Sequence, residues 1–245
     1  MADREPIGWI TVSGVHVPLF EGESKQDAIN RAIAKHNEDK KEADIKRNQA
    51  EAKEAHDRLS SNNSEFHSVN SDKFSQTVQE AKDSRDAKDR WRVDVHKPNE
   101  YDERNCKMYT NAHGSVVAVD KNGDIISVCK SAKDGTRGGG AKLLQQAVAL
   151  GGRKLDSFAG NHDFYTKNGF EPISWTPFNP NYAPDGWKES GCKKENVVFY
   201  AYVGKGNVKY TGLSGLHKFL SDTKPFTGDS GYDDAYAYRD SKIKK

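Results

Sequence analysis

The sequence predicts an α/β protein of the α+β kind, in which antiparallel strand pairs are flanked by helices, and three stretches carry that prediction. Gly114–Val119 and Ile125–Lys130 are β-branched runs joined through Asn122-Gly123, the strongest short-range signal for a hairpin. A glycine-rich loop, Asp134 to Gly140, then opens the run A-K-L-L-Q-Q-A-V-A-L and stops at Gly151-Gly152, so the apolar period changes from that of a strand to that of a helix. Lys25 to Leu59 holds neither glycine nor proline and reads as one long helix.

The elements follow in order. Trp9 to Phe20 is a short hairpin around Ser13-Gly14, and Ser24 is placed to cap the helix behind it. That helix has an apolar stripe only at Ala28, Ile29, Ala32 and Ile33; beyond His36 charges at i,i+4 spacing take over. Hairpin and helix make an arm over residues 1–60, followed by a Ser/Asn-rich linker over 61–72. A folded module over 73–203 begins with the helical period Phe74, Val78, Ala81 and the strand-like alternation of Trp91 to His96. After the glycine loop and its helix come a strand at Leu155–Phe158, a short helix from Asp163 to Asn168 ended by Gly169, and a strand from Phe170 to Trp175. A long excursion, Thr176 to Lys194, precedes a last strand, Asn196 to Val203. Residues 204–245 read as a mostly disordered tail, in which Leu213, Leu216, Phe219 and Leu220 can form one small helix.

Composition narrows the function classes. Of 245 residues 34% are hydrophobic and 30% charged, so part of the chain packs no core. With 38 basic against 36 acidic residues, the net charge of +2 creates no field that would draw the molecule to nucleic acid or an anionic membrane. The N-terminus has no apolar signal region and no stretch reaches eighteen apolar residues, which predicts a cytoplasmic, non-membrane protein. Cys106, Cys129 and Cys192 share no CxxC spacing and the eight histidines no HxxxH spacing, so no metal site is predicted. G-G-G-A-K also lacks the spacing of a P-loop.

The order of elements from Arg90, together with three local motifs, resembles the GNAT (GCN5-related N-acetyltransferase) superfamily over somewhat under half the chain. The first motif is the loop T-R-G-G-G-A-K-L-L (Thr136 to Leu144), whose glycines let backbone amides approach an anion at a helix N-terminus. The resemblance implies that Arg137, Gly138, Gly139, Gly140, Ala141 and Lys142 cradle the diphosphate of acetyl-CoA or another acyl-CoA; Lys142 stands where the family carries its last small anchor. The second is D-F-Y-T-K-N-G-F (Asp163 to Phe170), like the family's F-Y-x-x-x-G-F, which implies that Tyr165 protonates the departing thiolate, though a core tyrosine fits the same place. The third is K-L-D-S-F-A-G-N-H (Lys154 to His162), where the family's fourth strand diverges from its fifth and the pantetheine arm fills the gap. That implies a split between the strands around Leu155 and Ile173, with Ser157, Phe158 and Asn161 against the cofactor and Asp156 and His162 as candidate bases for an amine acceptor, or else as structural groups. The excursion, with Phe178, Tyr182, Asp185 and Trp187, is a candidate acceptor side or a cover over the sheet.

Two functions remain open at this level. One is an N-acyltransferase acting on an unknown amine. The other keeps the fold without the chemistry. The short I-T-V-x-G-x-H-V-P hairpin and charged helix resemble appendages on phage head-associated proteins, which implies a phage-encoded, virion-associated protein whose arm and tail bind a phage or host protein.

Overall fold

The structure, a computed structural model, describes residues 5–12, 15–61, 66–184, 186–188, 190–191 and 193–243, with the backbone alone at 45 and 48–61. The chain divides after Glu51 into two compact units. In the first, β1 (Gly8–Val12) pairs antiparallel with β2 (Val15–Leu19) in the register Gly8↔Leu19 to Val12↔Val15. The predicted turn residues Ser13 and Gly14 lie outside the described residues. Helix α1 (Lys25–Ser61) then starts at Ser24, whose hydroxyl accepts the Asp27 amide at 3.2 Å. Arg31 ties the helix to the hairpin through Glu23, at 2.9 Å from Nε, and the Pro18 carbonyl, at 2.6 Å.

The second unit contains β3 (Phe66–Ser68), α2 (Ser71–Asp83), α3 (Ala87–Arg90), α4 (Pro98–Glu103), β4 (Lys107–Asn111), β5 (Val116–Val119) and β6 (Ile125–Cys129). They are followed by α5 (Gly139–Ala149), β7 (Lys154–Phe158), α6 (His162–Lys167), β8 (Phe170–Thr176), β9 (Val197–Tyr202), α7 (Gly212–Asp222) and α8 (Gly231–Lys242). The strands form two sheets, ordered β3-β4-β5-β6 and β7-β9-β8, with every neighbouring pair antiparallel. The α+β class is as the sequence predicts. All of β5 is buried, and its alternation divides the core: Val116 and Ala118 pack with Phe74, Val78 and Ala81 of α2, while Val117 and Val119 pack with Leu143, Leu144 and Ala147 of α5.

Three expectations are corrected. Trp91 to His96 is not a strand: Trp91 is fully buried against the Phe158 ring, 4.8 Å between centroids, and this stretch has no ladder partner. The missing strands are β4, whose K-M-Y-T-N carries little β-branching, and β3, which lies inside the predicted linker and pairs with β4 from Phe66↔Asn111 to Ser68↔Tyr109. Residues 62–65 of that linker lie outside the described residues.

The third correction concerns the predicted disordered tail. Leu216 and Phe219 of α7 join the α5 core, and α8 lies on β8, where Ser174 Oγ donates to the Ala235 carbonyl at 2.7 Å. Helix α8 has only a weak apolar stripe because its buried face carries Arg239, whose partner Asp124, shared with Lys154, is far away in the chain. No local pattern announces a face stabilised in that way.

Candidate functional site

The two sheets meet at one point. Asp124 and Lys154 form a parallel bridge, with the Lys154 amide donating to the Gly123 carbonyl at 3.2 Å, and beyond it β6 and β7 belong to separate sheets. Each strand therefore turns an open edge to the gap. The split is not between the strands around Leu155 and Ile173: β9 lies between those and pairs with both. Once β3 and β4 are counted, β6 is the fourth strand of this unit and β7 the fifth.

The gap is a cavity of about 1170 Å³, lined on one side by Ile125 to Lys130 and on the other by Leu155 to Phe158. Helix α5 brings its first turn to the same cavity through Gly140. The chain enters α5 through Gly138, whose φ of 75° is left-handed and strained for any side chain. The Gly139 amide is bonded to the Thr136 carbonyl and that of Lys142 to Gly138, both at 3.1 Å. Among the described residues, no acceptor stands opposite the amides of Gly140 and Ala141. The first turn of α5 carries no acidic side chain of its own, and the acidic group at its N-terminus is Asp134, whose Oδ2 would stand 3.4 Å from a Cβ on Gly139. A Cβ on Gly140 would stand 3.2 Å from the Phe164 ring, so this position admits the cavity only as glycine or after a shift of that ring.

Buried Asp134 holds the loop in front of α5. Its carboxylate accepts from Asn111 Nδ2 at 2.9 Å, Ser115 Oγ at 2.7 Å and the Thr136 amide at 2.9 Å. Burial alone would raise its pKa, but the bonds from Ser115, Thr136 and Asn111 outweigh that and hold it far below the ordinary carboxylate range. A depressed folded pKa gives stability that is full above the unfolded value, near 3.9, and drains as pH falls below it. Asp134→Asn is expected to cost about 2 to 3 kcal/mol at neutral pH by presenting donors with a donor. It should also flatten the acid side of a stability profile between about pH 4 and pH 2, which urea titrations across pH would show.

Of the residues singled out in the sequence, Gly140, Asp156, Ser157, Phe158, Asn161 and Tyr165 line the cavity together. Asn161 Nδ2 donates to Ser157 Oγ at 3.0 Å, and the Tyr165 hydroxyl lies close to the same serine. Burial, with the nearby Asp156 carboxylate adding to it, pushes Tyr165 up to about 12 against the opposing effect of Ser157, so at neutral pH it keeps its proton. Asp156 is exposed to the cleft yet hemmed in by protein. Lost hydration raises its pKa, with Asp124 and Asp94 adding to the rise and Tyr232 and Arg239 opposing it.

His162 is not brought to the cleft. It is buried at 2% exposure, with Nδ1 3.2 Å from the Tyr200 hydroxyl and Nε2 2.7 Å from the Tyr210 carbonyl, and burial lowers its pKa despite the Tyr210 carbonyl. Arg137 and Gly138 are exposed on the loop, Gly139 is buried behind it, and Ala141 and Lys142 are half-buried on α5; none of these five lines the cavity.

Compared with known proteins, the chain matches no protein-family model, no curated protein and no solved structure. The site is therefore read from its own geometry. Sequence reasoning missed the β6 wall, the segment holding Arg92 and Asp94, and Tyr232 of α8, all of which line the cavity. The excursion after β8 does reach it, through Phe178 and Tyr182, with Trp187 packed on Phe178 at 4.6 Å; Asp185 lies outside the described residues. Arg92 pairs with Glu195 through both terminal nitrogens, and Glu195 also accepts the Gly160 amide at 2.9 Å, which pins the loop after β7. Among the described residues no group of His, Cys, Asp and Glu is placed to hold a metal, and no helix is long and apolar enough to cross a membrane.

Proposed function

We propose that the second unit binds an acyl-CoA in the cleft between β6 and β7 and transfers the acyl group to an amine, as the GNAT resemblance implies. The observation that carries this reading is the parting of β6 from β7 beside the unpartnered Gly140 and Ala141 amides of α5. A diphosphate answers both amides and the open helix dipole. The pantetheine arm is an amide-bearing chain, so it can complete the ladders that the two strand edges leave unfinished. The cavity volume suits a ligand of cofactor size.

Within that reading the amine attacks the thioester carbonyl near Phe158, and Tyr165 gives its proton to the leaving thiolate. No covalent enzyme intermediate is needed. Asp156 stands on the same wall as a carboxylate of raised proton affinity, suited to take a proton from the incoming amine.

Acetyl-CoA at a hundred times its dissociation constant is expected to add about 2.7 kcal/mol to the folded state, which raises the melting temperature by roughly 5 to 10 °C for a unit of this size. Pantetheine, which lacks the diphosphate, should shift it far less. A melting temperature that millimolar acetyl-CoA leaves unmoved would remove this function and favour the reading in which the fold serves only as a structural or partner-binding module.

A further inference from the structure

The cleft has a wall contributed by the extreme C-terminal part of the chain. Thr227 to Asp229, ahead of α8, and Tyr232 and Asp233 in its first turn line the same cavity as Asp156 and Tyr165. Tyr232 is placed from two sides. Its ring meets Phe199 edge-on at 5.0 Å and 66°, which brings its hydroxyl to the side of the Asp156 carboxylate. Asp156 of β7 and Phe199 of β9 are ladder partners, so one side chain from α8 faces both members of a single strand pair.

The helix that carries Tyr232 is itself held firmly. One turn on, Ser174 binds the Ala235 carbonyl at 2.7 Å; two turns on, Arg239 reaches Asp124 at 3.1 Å, at the point where the sheets part. The groups facing Asp156 are Tyr232 and Arg239 from α8, Asp124 at the root of β6, Asp94 from the segment before α4, and Tyr165 from α6. Tyr232 shows 42% of its surface, which leaves the ring reachable from the cleft.

We propose that Tyr232 is a positioning residue of the acyl-transfer site: its hydroxyl holds one oxygen of Asp156 and leaves the other to take a proton from the acceptor ammonium. This rests on the acyltransferase reading and makes α8 an integral wall of the acceptor pocket. The step balances. The ammonium passes one proton to Asp156, the freed nitrogen pair forms the N–C bond, the C–S bond breaks, the thiolate takes the Tyr165 proton, and the second proton shed by the acylated nitrogen passes through water to restore Tyr165. The net products are amide, thiol and one proton, which Asp156 returns to solvent.

The test uses the full chain and Tyr232→Phe, which keeps the ring on Phe199 and removes only the hydroxyl. The Asp156 carboxyl carbon is followed by 13C NMR against pH, with Asp156→Asn identifying its resonance. Loss of a hydrogen bond that favours the carboxylate should move the Asp156 midpoint upward in the variant. Acetyl-CoA should raise the melting temperature of both proteins equally. With ethanolamine, spermidine and a lysine tripeptide as acceptors, thiol release should fall roughly tenfold in kcat, with KM for acetyl-CoA unchanged. The acid limb of the rate profile should move to higher pH, because a base with a higher pKa stays protonated further up the scale.

An unchanged Asp156 midpoint and an unmoved acid limb in Tyr232→Phe would overturn the assignment. So would a wild-type protein that binds acetyl-CoA yet releases thiol with none of the amines. Acetyl-CoA that shifts neither protein would fell the acyltransferase reading instead, and the NMR titration would still report whether the Tyr232–Asp156 pair exists.

Discussion

Arg239→Ala lowers the melting temperature by roughly 10 °C. Arg239 is fully buried and lies 2.8 Å from Asp240 and 3.1 Å from Asp124, while Lys154 lies 2.6 Å from Asp240 and 3.1 Å from Asp124. Two cations and two carboxylates thus balance, with the Tyr236 hydroxyl donating to Asp124 and the Tyr236 ring 4.3 Å from the guanidinium. Removing one cation leaves Lys154 alone against two carboxylates, one of them Asp124 at 4% exposure, and an excess buried charge of this kind costs about 3 to 5 kcal/mol, far more than the pair itself is worth. The expected loss is therefore that of an orphaned charge and not of a contact. Arg239→Met combined with Asp124→Asn restores the balance with one cation and one carboxylate and should recover more than 1 kcal/mol relative to the sum of the single changes. Denaturant titrations of the four proteins measure the coupling. Additive single effects would mean that the network is not what anchors α8.

Ala141→Asp, by contrast, leaves the fold intact and, on the acyl-CoA reading proposed above, weakens cofactor binding. Ala141 is half-buried at the third position of α5, whose first turn itself has no acidic residue, so a carboxylate there meets the positive end of the helix dipole. The free protein should gain about 0.3 to 1 kcal/mol. The same negative charge, beside amides that the diphosphate would use, should weaken acetyl-CoA by roughly 100-fold through repulsion and competition. Calorimetric titration and melting curves of one sample read the two opposite signs. Asp at this position with wild-type acetyl-CoA affinity would place the cofactor elsewhere. Ala141→Asn, which adds size without charge, should lose much less.

Much of this architecture is local chemistry and was legible as such. Gly123 turns the hairpin between β5 and β6 at a φ of 79°, a conformation that glycine adopts without strain. Gly169, with φ of 92°, ends α6 where the pattern around Phe164 and Phe170 requires it, and the glycines before α5 open a helix at the predicted place. The candidate residues Asp156, Ser157, Asn161 and Tyr165 came from the motifs that carry the resemblance, and all four line the cavity. His162 belonged to the same local motif, yet its ring goes to Tyr200 and Tyr210, one of them 48 positions away.

What the sequence determined by itself is the set of elements whose cause lies within a few residues: turns, caps, apolar periods and the glycine loop. What only the tertiary structure decided is where those elements meet. The order β7-β9-β8, the split beside β6, the short β3 and β4 strands and the docking of α8 all depend on groups far apart in the chain. Arg239 and Asp124 are separated by 115 positions, and each looks like an exposed charge until the other is beside it. A buried charge is stable only with its partner, so no pattern read along one segment can reveal it.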